Sequence, residues 1–247
     1  MSLSVIVITK NEAHAIAKCL ESVSWADEIV VLDSGSTDDT VKICESFGAK
    51  IHVTDWPGFG PQKNRALDLA NGEWVLSLDA DEIVTPELKN EMLNAISSGK
   101  ADAFNFPRSS SYCGRFMRHA GWWPDRVTRL FRRGRAKFSQ DIVHERLIVE
   151  GATAELSSPL VHHAFENLEE VLHKIDNYST AGAAMMKEKG KNATLMDAIL
   201  HGFWSFFRTY FLKGGFLDGK EGFMLAVSNA EGTYYRYLKR MLLETRK

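Results

Sequence analysis

The stretch VLSLDADEIV, residues 75–84, decides the fold, because a largely apolar run ends abruptly in the acids Asp79, Asp81 and Glu82. Clustered carboxylates repel one another and resist desolvation, so such a strand ends either at water or at a cation. In an extended backbone, residues i and i+2 point the same way. The pattern therefore predicts that Asp79 and Asp81 face one hard cation such as Mg²⁺ or Mn²⁺.

Outward from this stretch, the first hundred residues alternate short β-branched runs with segments of helical periodicity. The predicted strands are LSVIVIT (3–9), EIVVLD (28–33), KIHVTD (50–55) and EWVLSLD (73–79). The predicted helices are NEAHAIAKCLESV (11–23), STDDTVKICESFG (36–48, capped by Ser36 or Thr37), PQKNRALDLANG (61–72) and TPELKNEMLNAISSG (85–99). This alternation predicts an α/β fold with a doubly wound, mainly parallel sheet.

Ligands of such sheets bind beyond the carboxyl ends of the strands, where polar side chains collect in this sequence. Those ends carry Thr9, Asn11 and Glu12, then Asp33, then Asp55, and finally the Asp79–Asp81 pair. Wet loops explain polar residues in general, but not an Asp at three of the four strand ends. Asp38 and Asp39 differ, because they fall in the first turn of a predicted helix, where acids suit the helix dipole.

Beyond residue 100 the alternation stops. Hairpin-like pieces precede a mostly helical region that starts near Phe165. We expect one domain over 1–160, with halves 1–100 and 101–160, and a helical C-terminal region over 161–247. Cys19, Cys44 and Cys113 are scattered without a CxxC pair, which indicates a reducing compartment, and the N-terminal apolar run is too short to predict a signal peptide. We expect a cytoplasmic protein.

The net charge of −2 hides a basic segment between residues 108 and 137, where nine Arg and Lys residues stand against Asp125 alone. This asymmetry indicates an anionic partner. Arg126 and Arg129 alternate with apolar residues, so both are candidates to face the site and bind phosphate or carboxylate of an acceptor.

Several motifs together resemble the family 2 glycosyltransferases, which have the GT-A nucleotide-diphosphosugar transferase fold. They are VIVITKNEA, VVLDSGSTDDT, QKNRALDLANGEWVLSLDADE, and RLFRR followed by VHERL. VHHAFENLEEVLHKIDNYS and KGGFLDGKEGF resemble the lipopolysaccharide core β-1,4-glucosyltransferase branch. Ser34 departs from the family pattern, in which a second Asp often follows the strand.

The resemblance implies an inverting, metal-dependent enzyme that moves a sugar, glucose by preference, from a UDP-sugar to an inner-core heptose of a lipid-linked oligosaccharide. It assigns the nucleotide-sugar pocket to Thr9, Asn11, Glu12, Asp33, Lys63 or Arg65, Asp79 and Ala80. The divalent metal, Mg²⁺ or Mn²⁺, is assigned to Asp81 as the main ligand, with Asp79 and His162. Inverting transfer needs a carboxylate base. The resemblance assigns that role to Glu145, with Asp141 in reserve.

Two other functions compete with this interpretation. A nucleotidyltransferase would share an acidic metal site, but it needs a glycine-rich phosphate loop that VITKNEAHA lacks; GFG (58–60) has no third glycine. A non-catalytic protein could use the arginine segment to bind anionic glycan, membrane or RNA. RNA recognition favours aromatics on a basic sheet face, so we expect no nucleic-acid partner.

The segment LMDAILHGFWSFFRTYFL, residues 195–212, is apolar almost all the way round, although Asp197, His201 and Arg208 interrupt it. Its aromatics beside Lys213 and Lys220 are typical of a helix at the membrane interface. We therefore expect peripheral contact with the inner face of the cytoplasmic membrane. Burial in a helical core or in a homo-oligomer interface explains the same pattern.

Overall fold

A computed structural model describes residues 1–140 and 145–245. The first hundred residues alternate strands and helices as predicted, with one additional short strand before the fourth helix. The strands are β1 (Leu3–Thr9), β2 (Glu28–Asp33), β3 (Lys50–Val53), β4 (Trp74–Asp79) and β5 (Glu82–Val84). The helices are α1 (Ile16–Ser22), α2 (Thr40–Ser46), α3 (Phe59–Leu69) and α4 (Pro86–Ser98).

The rest of the described chain adds short strands and then long helices. The strands are β6 (Ala103–Tyr112), β7 (Arg115–Phe116), β8 (Asp125–Arg132), β9 (Ala136–Phe138), β10 (Leu147–Val149), β11 (Thr153–Glu155) and β12 (Leu160–Phe165). The helices are α5 (Leu168–Glu188), α6 (Leu195–Phe207) and α7 (Gly219–Thr245), with a π-helical turn over Arg208–Leu212 and a 3₁₀ turn over Gly215–Asp218.

The main sheet has the strand order β3-β2-β1-β4-β8-β6-β12-β5. Strands β3, β2, β1 and β4 are parallel, and β8 joins β4 antiparallel. Because β1 is buried along its whole length, both of its faces must be covered by other elements. Trp74, Leu76 and Leu78 of β4 belong to one apolar core, whereas Val75 belongs to a second core on the opposite face. The predicted α/β class with a mainly parallel sheet and a helical C-terminal region is confirmed.

The chain forms two compact units. The first contains 1–108 and 126–162, and the second contains 109–125 and 163–247. The segment 109–125, which we expected to belong with the first 160 residues, therefore clusters with the C-terminal helices. Among residues 1–140 and 145–245, no helix is both long and apolar enough to cross a membrane.

Two helices begin later than the sequence suggests. α1 begins at Ile16 rather than Asn11, since Asn11 has a left-handed backbone with φ of 57°. α2 begins at Thr40, after Asp39, so neither Ser36 nor Thr37 is its cap. α4, in contrast, begins as predicted: the Thr85 side chain accepts a hydrogen bond from the backbone N–H of Leu88, and Pro86 occupies the first turn.

The Glu28 carboxylate, whose side chain is 9% exposed, connects the amino ends of neighbouring strands through hydrogen bonds. Glu28 accepts hydrogen bonds from Ser4 Oγ, from Lys50 Nζ at 2.7 Å and from the N–H and Nδ2 of Asn71, both at 2.8 Å. Burial by itself would raise the pKa of Glu28, but these donors outweigh it and lower the pKa from 4.5 to about 2.

We expect Glu28→Gln to lower the free energy of unfolding at pH 7 by about 3 kcal/mol, since each pKa unit corresponds to about 1.4 kcal/mol. The folded-state pKa is depressed, so this stabilisation is complete above about 4.5 and is lost as the pH falls towards about 2. Urea unfolding at pH 7 and pH 3 measures the difference in free energy of unfolding between wild type and variant. This difference should be smaller at pH 3. Asp39→Asn, which removes an exposed pair with Lys42, is the control and should change little. A difference in free energy of unfolding that does not change with pH would contradict this explanation.

Candidate functional site

The loops after β1 and β2 are joined by hydrogen bonds. Asn11 donates its backbone N–H to Ser36 Oγ at 2.8 Å, and its side-chain oxygen accepts the N–H of Thr37 at 2.7 Å. The N–H groups of Glu12 and Ala13 are bound by the side chains of Thr40 and Asp38. The left-handed turn at Asn11 and the late start of α1 follow from these bonds. Two strand-end loops that carry predicted pocket residues thus form one rigid edge.

Asp33 is 1% exposed at the end of β2, and its carboxylate organises the following turn. It accepts the N–H groups of Gly35 and Ser36 at 2.9 and 2.8 Å, and also the hydroxyl of Ser36. Gly35 has φ of 83°, a conformation that glycine adopts readily. Ser34 Oγ accepts a hydrogen bond from buried Gln62 at 3.1 Å. The assigned contact of Asp33 with base or ribose stays a prediction.

Asp79, the last residue of β4, lies between two cations. Its Oδ1 is 2.9 Å from Lys63 Nζ, and its Oδ2 is 2.5 Å from Arg129 Nη2. Burial alone would raise the pKa of Asp79, but the charges of Arg129 and Lys63 outweigh it and hold that pKa well below its usual range. Asp79 is thus a fixed anion. Its predicted metal contact would have to share oxygens already paired with these two side chains.

Glu82 completes the network; the sequence marks it as one of three clustered acids, but we predicted no role for it. It is fully buried; its Oε1 lies 3.2 Å from Arg108 Nη1 and 3.3 Å from Arg129 Nη2, while its Oε2 accepts the N–H of Asp79 at 3.0 Å. Burial tends to lower the pKa of Arg129, but Asp79 and Glu82 hold it above its ordinary value. An acid directly after the Asp79–Asp81 pair was the available signal.

Glu145 lies on the other side of Lys63. Its Oε1 is 2.7 Å from Lys63 Nζ, and Lys63 is only 2% exposed. One buried ammonium therefore connects the predicted base to the end of β4. Asp141, the reserve base, and the neighbouring His144 lie outside the described residues.

Asp81 and His162 form a separate pair, with 3.2 Å between Asp81 Oδ2 and His162 Nε2. Their side chains are 29% and 13% exposed. The predicted extended backbone from Asp79 to Asp81 is wrong, because Ala80 and Asp81 form a turn between β4 and β5. Asp81 therefore does not project beside Asp79 as in a strand. His162 is its neighbour because β12 pairs with β5, where His162 lies opposite Glu82.

Two pairs of candidate cations divide between different surfaces. Lys63 and Arg65 are two residues apart on α3, about 200° round a helix. Arg65 accordingly reaches Asp55 at 2.7 Å rather than Asp79. Arg126 and Arg129 are three residues apart on β8 and point to opposite faces. Arg126 binds Asn105, Glu155 and the carbonyl of Leu156, and the contact of either arginine with an acceptor stays a prediction.

Thr9 and Glu12 remain near the edge where we predicted a pocket. Thr9 is 5% exposed, and its Oγ1 has no hydrogen-bond partner among the described residues. Glu12 O accepts the N–H groups of Ala15 and Ile16 at the start of α1, and its carboxylate lies 3.8 Å from His14. The contacts of Thr9 and Glu12 with a nucleotide-sugar stay predictions.

The carboxyl edge of the sheet thus carries an ion-pair network of three carboxylates and three cations, with the Asp81–His162 pair as a separate contact. The network consists of Asp79, Glu82, Glu145, Lys63, Arg108 and Arg129. Doubly wound sheets bind their ligands at this edge. The model of glycosyl transferase family 2 matches residues 4–149 of this sequence. The chain belongs to that family. The match includes Asp33, Lys63, Asp79, Asp81 and Glu145, whereas His162 lies beyond it. This match favours the glycosyltransferase over the two competing interpretations, a nucleotidyltransferase and a non-catalytic protein.

Two relatives are similar to this chain over nearly its whole length. The lipopolysaccharide core biosynthesis glycosyltransferase LpsC of Rhizobium meliloti is 30% identical over 245 residues, which cover 93% of this chain and 88% of LpsC. An uncharacterized glycosyltransferase of Rickettsia felis is 29% identical over 253 residues, with 96% and 88% covered. The structure of S. aureus TarS 1–349 in complex with UDP-GlcNAc aligns with a TM-score of 0.52 at 17% identity, covering 99% of this chain and 92% of that one. TarS shares the fold.

Proposed function

We propose that this glycosyltransferase is an inverting enzyme that moves a sugar, glucose by preference, from a UDP-sugar to an inner-core heptose of lipopolysaccharide. The similarity to LpsC, a lipopolysaccharide core biosynthesis glycosyltransferase, supports this class of acceptor. TarS was crystallised with UDP-GlcNAc and shares the fold, which supports a UDP-sugar donor. The preference for glucose and for heptose comes from the sequence motifs.

The observation that carries the proposal is the charge arrangement around Lys63. Its ammonium lies within 2.9 Å of Asp79 and 2.7 Å of Glu145, so the end of β4 and the predicted base are held by one buried group. Buried charges are costly unless they are paired and hydrogen-bonded. A network that fixes two carboxylates at a sheet edge suits a site that must position two reactants.

The residues beside this network fit a divalent metal. A carboxylate oxygen and an imidazole nitrogen 3.2 Å apart, as at Asp81 and His162, are ligand types that Mn²⁺ accepts. No group of three or more His, Cys, Asp or Glu in the described ranges could hold the ion. Two protein ligands leave room for diphosphate oxygens and water, as is usual for Mg²⁺ and Mn²⁺ at phosphates. When bound, the metal would offset negative charge on the departing UDP.

The chain's own residues would perform the rest of the reaction. The Glu145 carboxylate takes the proton of the acceptor hydroxyl while that oxygen attacks the anomeric carbon. The bond to the UDP oxygen breaks on the opposite side of the sugar, so an α-linked donor gives a β-linked product. Lys63 and Arg129 hold Asp79 in place throughout. Lys63 and Arg129 thus act as positioning residues.

A donor screen tests the proposal. The enzyme is incubated with Mn²⁺, a delipidated inner-core acceptor that ends in heptose, and UDP-glucose, UDP-galactose or UDP-GlcNAc in turn. We expect release of UDP together with a product one hexose heavier, fastest with UDP-glucose, and a β-linkage by NMR coupling constants. A retained α-linkage would refute inversion. Transfer from none of the three UDP-sugars would refute the donor class, and glycan acceptors without heptose serve as the matched control.

A further inference from the structure

The second unit exposes a large set of apolar side chains on one continuous stretch of chain, which we call the apolar patch. Its members are between 48% and 68% exposed, which is unusual for aromatic and aliphatic side chains this large. They are Leu195, Met196, Ile199, Leu200, Phe203, Trp204, Phe211, Leu212, Phe216, Leu217 and Phe223.

The helix α6 places its small residues inside and its large residues outside. Ala198 and Gly202 are the buried positions, and a Cβ on Gly202 would lie 3.2 Å from the Cβ of Tyr234 on α7. The two helices therefore approach closely through small residues. A helix of a soluble domain normally buries its bulky apolar face and exposes a polar one. The reversal in α6 leaves Phe203 and Trp204 outside, so these side chains do not serve the core of this unit.

Charges within the same stretch are also sorted. Arg208, Lys213 and Lys220 are exposed. The acids are less exposed than these cations: Asp197 is half-exposed and forms the capping box of α6 with Thr194. Asp218 is 1% exposed and accepts the backbone N–H groups of Arg118 and His119, and Glu221 has a side chain only 14% exposed. The most exposed charged groups of residues 195–223 are therefore these three cations, of which Lys220 lies 3.7 Å from Glu221 Oε1.

We propose that the apolar patch docks onto the surface of an anionic lipid bilayer, with its aromatics at the headgroup boundary and its cations against lipid phosphates. A second copy of the chain is a weaker occupant, because a two-fold contact through this patch would bring Arg208, Lys213 and Lys220 towards the same residues of the partner. An anionic lipid surface satisfies both the apolar area and the cations. The inference goes beyond the proposed function and does not depend on the identity of donor or acceptor.

Vesicle sedimentation tests docking with the full chain. At about 0.1 M salt, we expect at least about tenfold more protein to pellet with vesicles containing phosphatidylglycerol than with phosphatidylcholine alone. Binding should weaken at about 1 M salt, where screening acts over about 3 Å. Brominated lipids should quench tryptophan fluorescence of the wild type, a readout that needs no variant. No preference for anionic vesicles, or no quenching, would overturn the proposal.

Matched variants locate the contact. Phe203→Ala with Trp204→Ala should abolish vesicle binding, whereas Phe47→Ala with Leu93→Ala, which removes exposed apolar groups from the first unit, should not. Arg208→Glu with Lys220→Glu should reduce binding to anionic vesicles at least about tenfold. Lys187→Glu with Lys189→Glu changes the net charge equally at the end of α5 and should have little effect.

Light scattering and transfer to a delipidated acceptor complete the test. We expect the Phe203/Trp204 variant to keep its oligomeric state and its activity on that soluble acceptor. If it changes oligomeric state while vesicle binding persists, the patch is an interface between copies and the lipid proposal is wrong. Failure of the donor screen with intact vesicle binding would leave docking standing, so the two proposals fail separately.

Discussion

Asp81→Asn should lower turnover about a thousandfold or more while leaving the fold intact. Metal ions contribute several kcal/mol of charge stabilisation to such reactions, and each 1.36 kcal/mol is a factor of ten in rate. Asparagine keeps the size of the side chain but loses the charge that a divalent ion needs. The Asp81 side chain is 29% exposed and contacts His162, not the network around Asp79, so the substitution should cost little stability.

Calorimetry separates the metal role of Asp81 from a structural one. UDP should bind the wild type with Mn²⁺ present and much more weakly with EDTA, whereas the variant should show weak binding in both conditions. Asp68→Asn, which removes an exposed carboxylate from α3, should leave binding and turnover unchanged. An active Asp81→Asn with UDP affinity indifferent to EDTA would eliminate the proposed metal role.

The positions of the strand ends could be predicted from the sequence because they depend on local patterns. Largely apolar runs of four and five residues followed by an acid place Asp33 and Asp79 at the ends of β2 and β4, as observed. Thr85 and Pro86 likewise mark the start of α4 through capping and backbone geometry. Such signals act over a few residues and need no tertiary information.

The pairing of charges could not be predicted, because it depends on which strands become neighbours. Arg129 reaches Asp79 since β8 inserts antiparallel beside β4, and Arg108 reaches Glu82 from β6. From the sequence alone, each arginine or lysine could pair with any of several acids. The predicted start of α1 was wrong for the same reason. Side chains from the loop after β2, such as Ser36, bind backbone groups that local periodicity had assigned to the helix.

The orientation of α6 also lay beyond the sequence pattern. A segment that is apolar on every side has no polar face to mark its exposed surface. The structure orients it by packing Gly202 against α7, since only small residues allow that close approach. The result is an outer surface made of its bulkiest residues. Periodicity identifies a buried face only when the two faces differ in polarity.

Glu145→Gln should lower kcat about a hundredfold to ten-thousandfold, the usual contribution of a general base. Glutamine can still accept the hydrogen bond that Lys63 now gives to Glu145 Oε1 at 2.7 Å, and Lys63 keeps Asp79 as its charged partner. The network should therefore remain folded, and the KM for the UDP-sugar should change little. Steady-state kinetics and thermal unfolding together measure these effects. Glu155→Gln, which removes a 64% exposed carboxylate of the same unit, is the matched control and should leave kcat, KM and thermal stability unchanged.

Chemical rescue distinguishes a base from a positioning residue. Glu145→Ala leaves space beside the Lys63 ammonium, where formate can bind as an external carboxylate and accept the acceptor's proton. We expect formate to restore part of the lost kcat in Glu145→Ala and none in Asp81→Asn, because a missing metal ligand is not a missing base. Loss of activity in Asp141→Asn together with an active Glu145→Gln would transfer the role to Asp141. Loss in Glu145→Ala without rescue, accompanied by a raised KM for the donor, would instead mean that Glu145 positions Lys63.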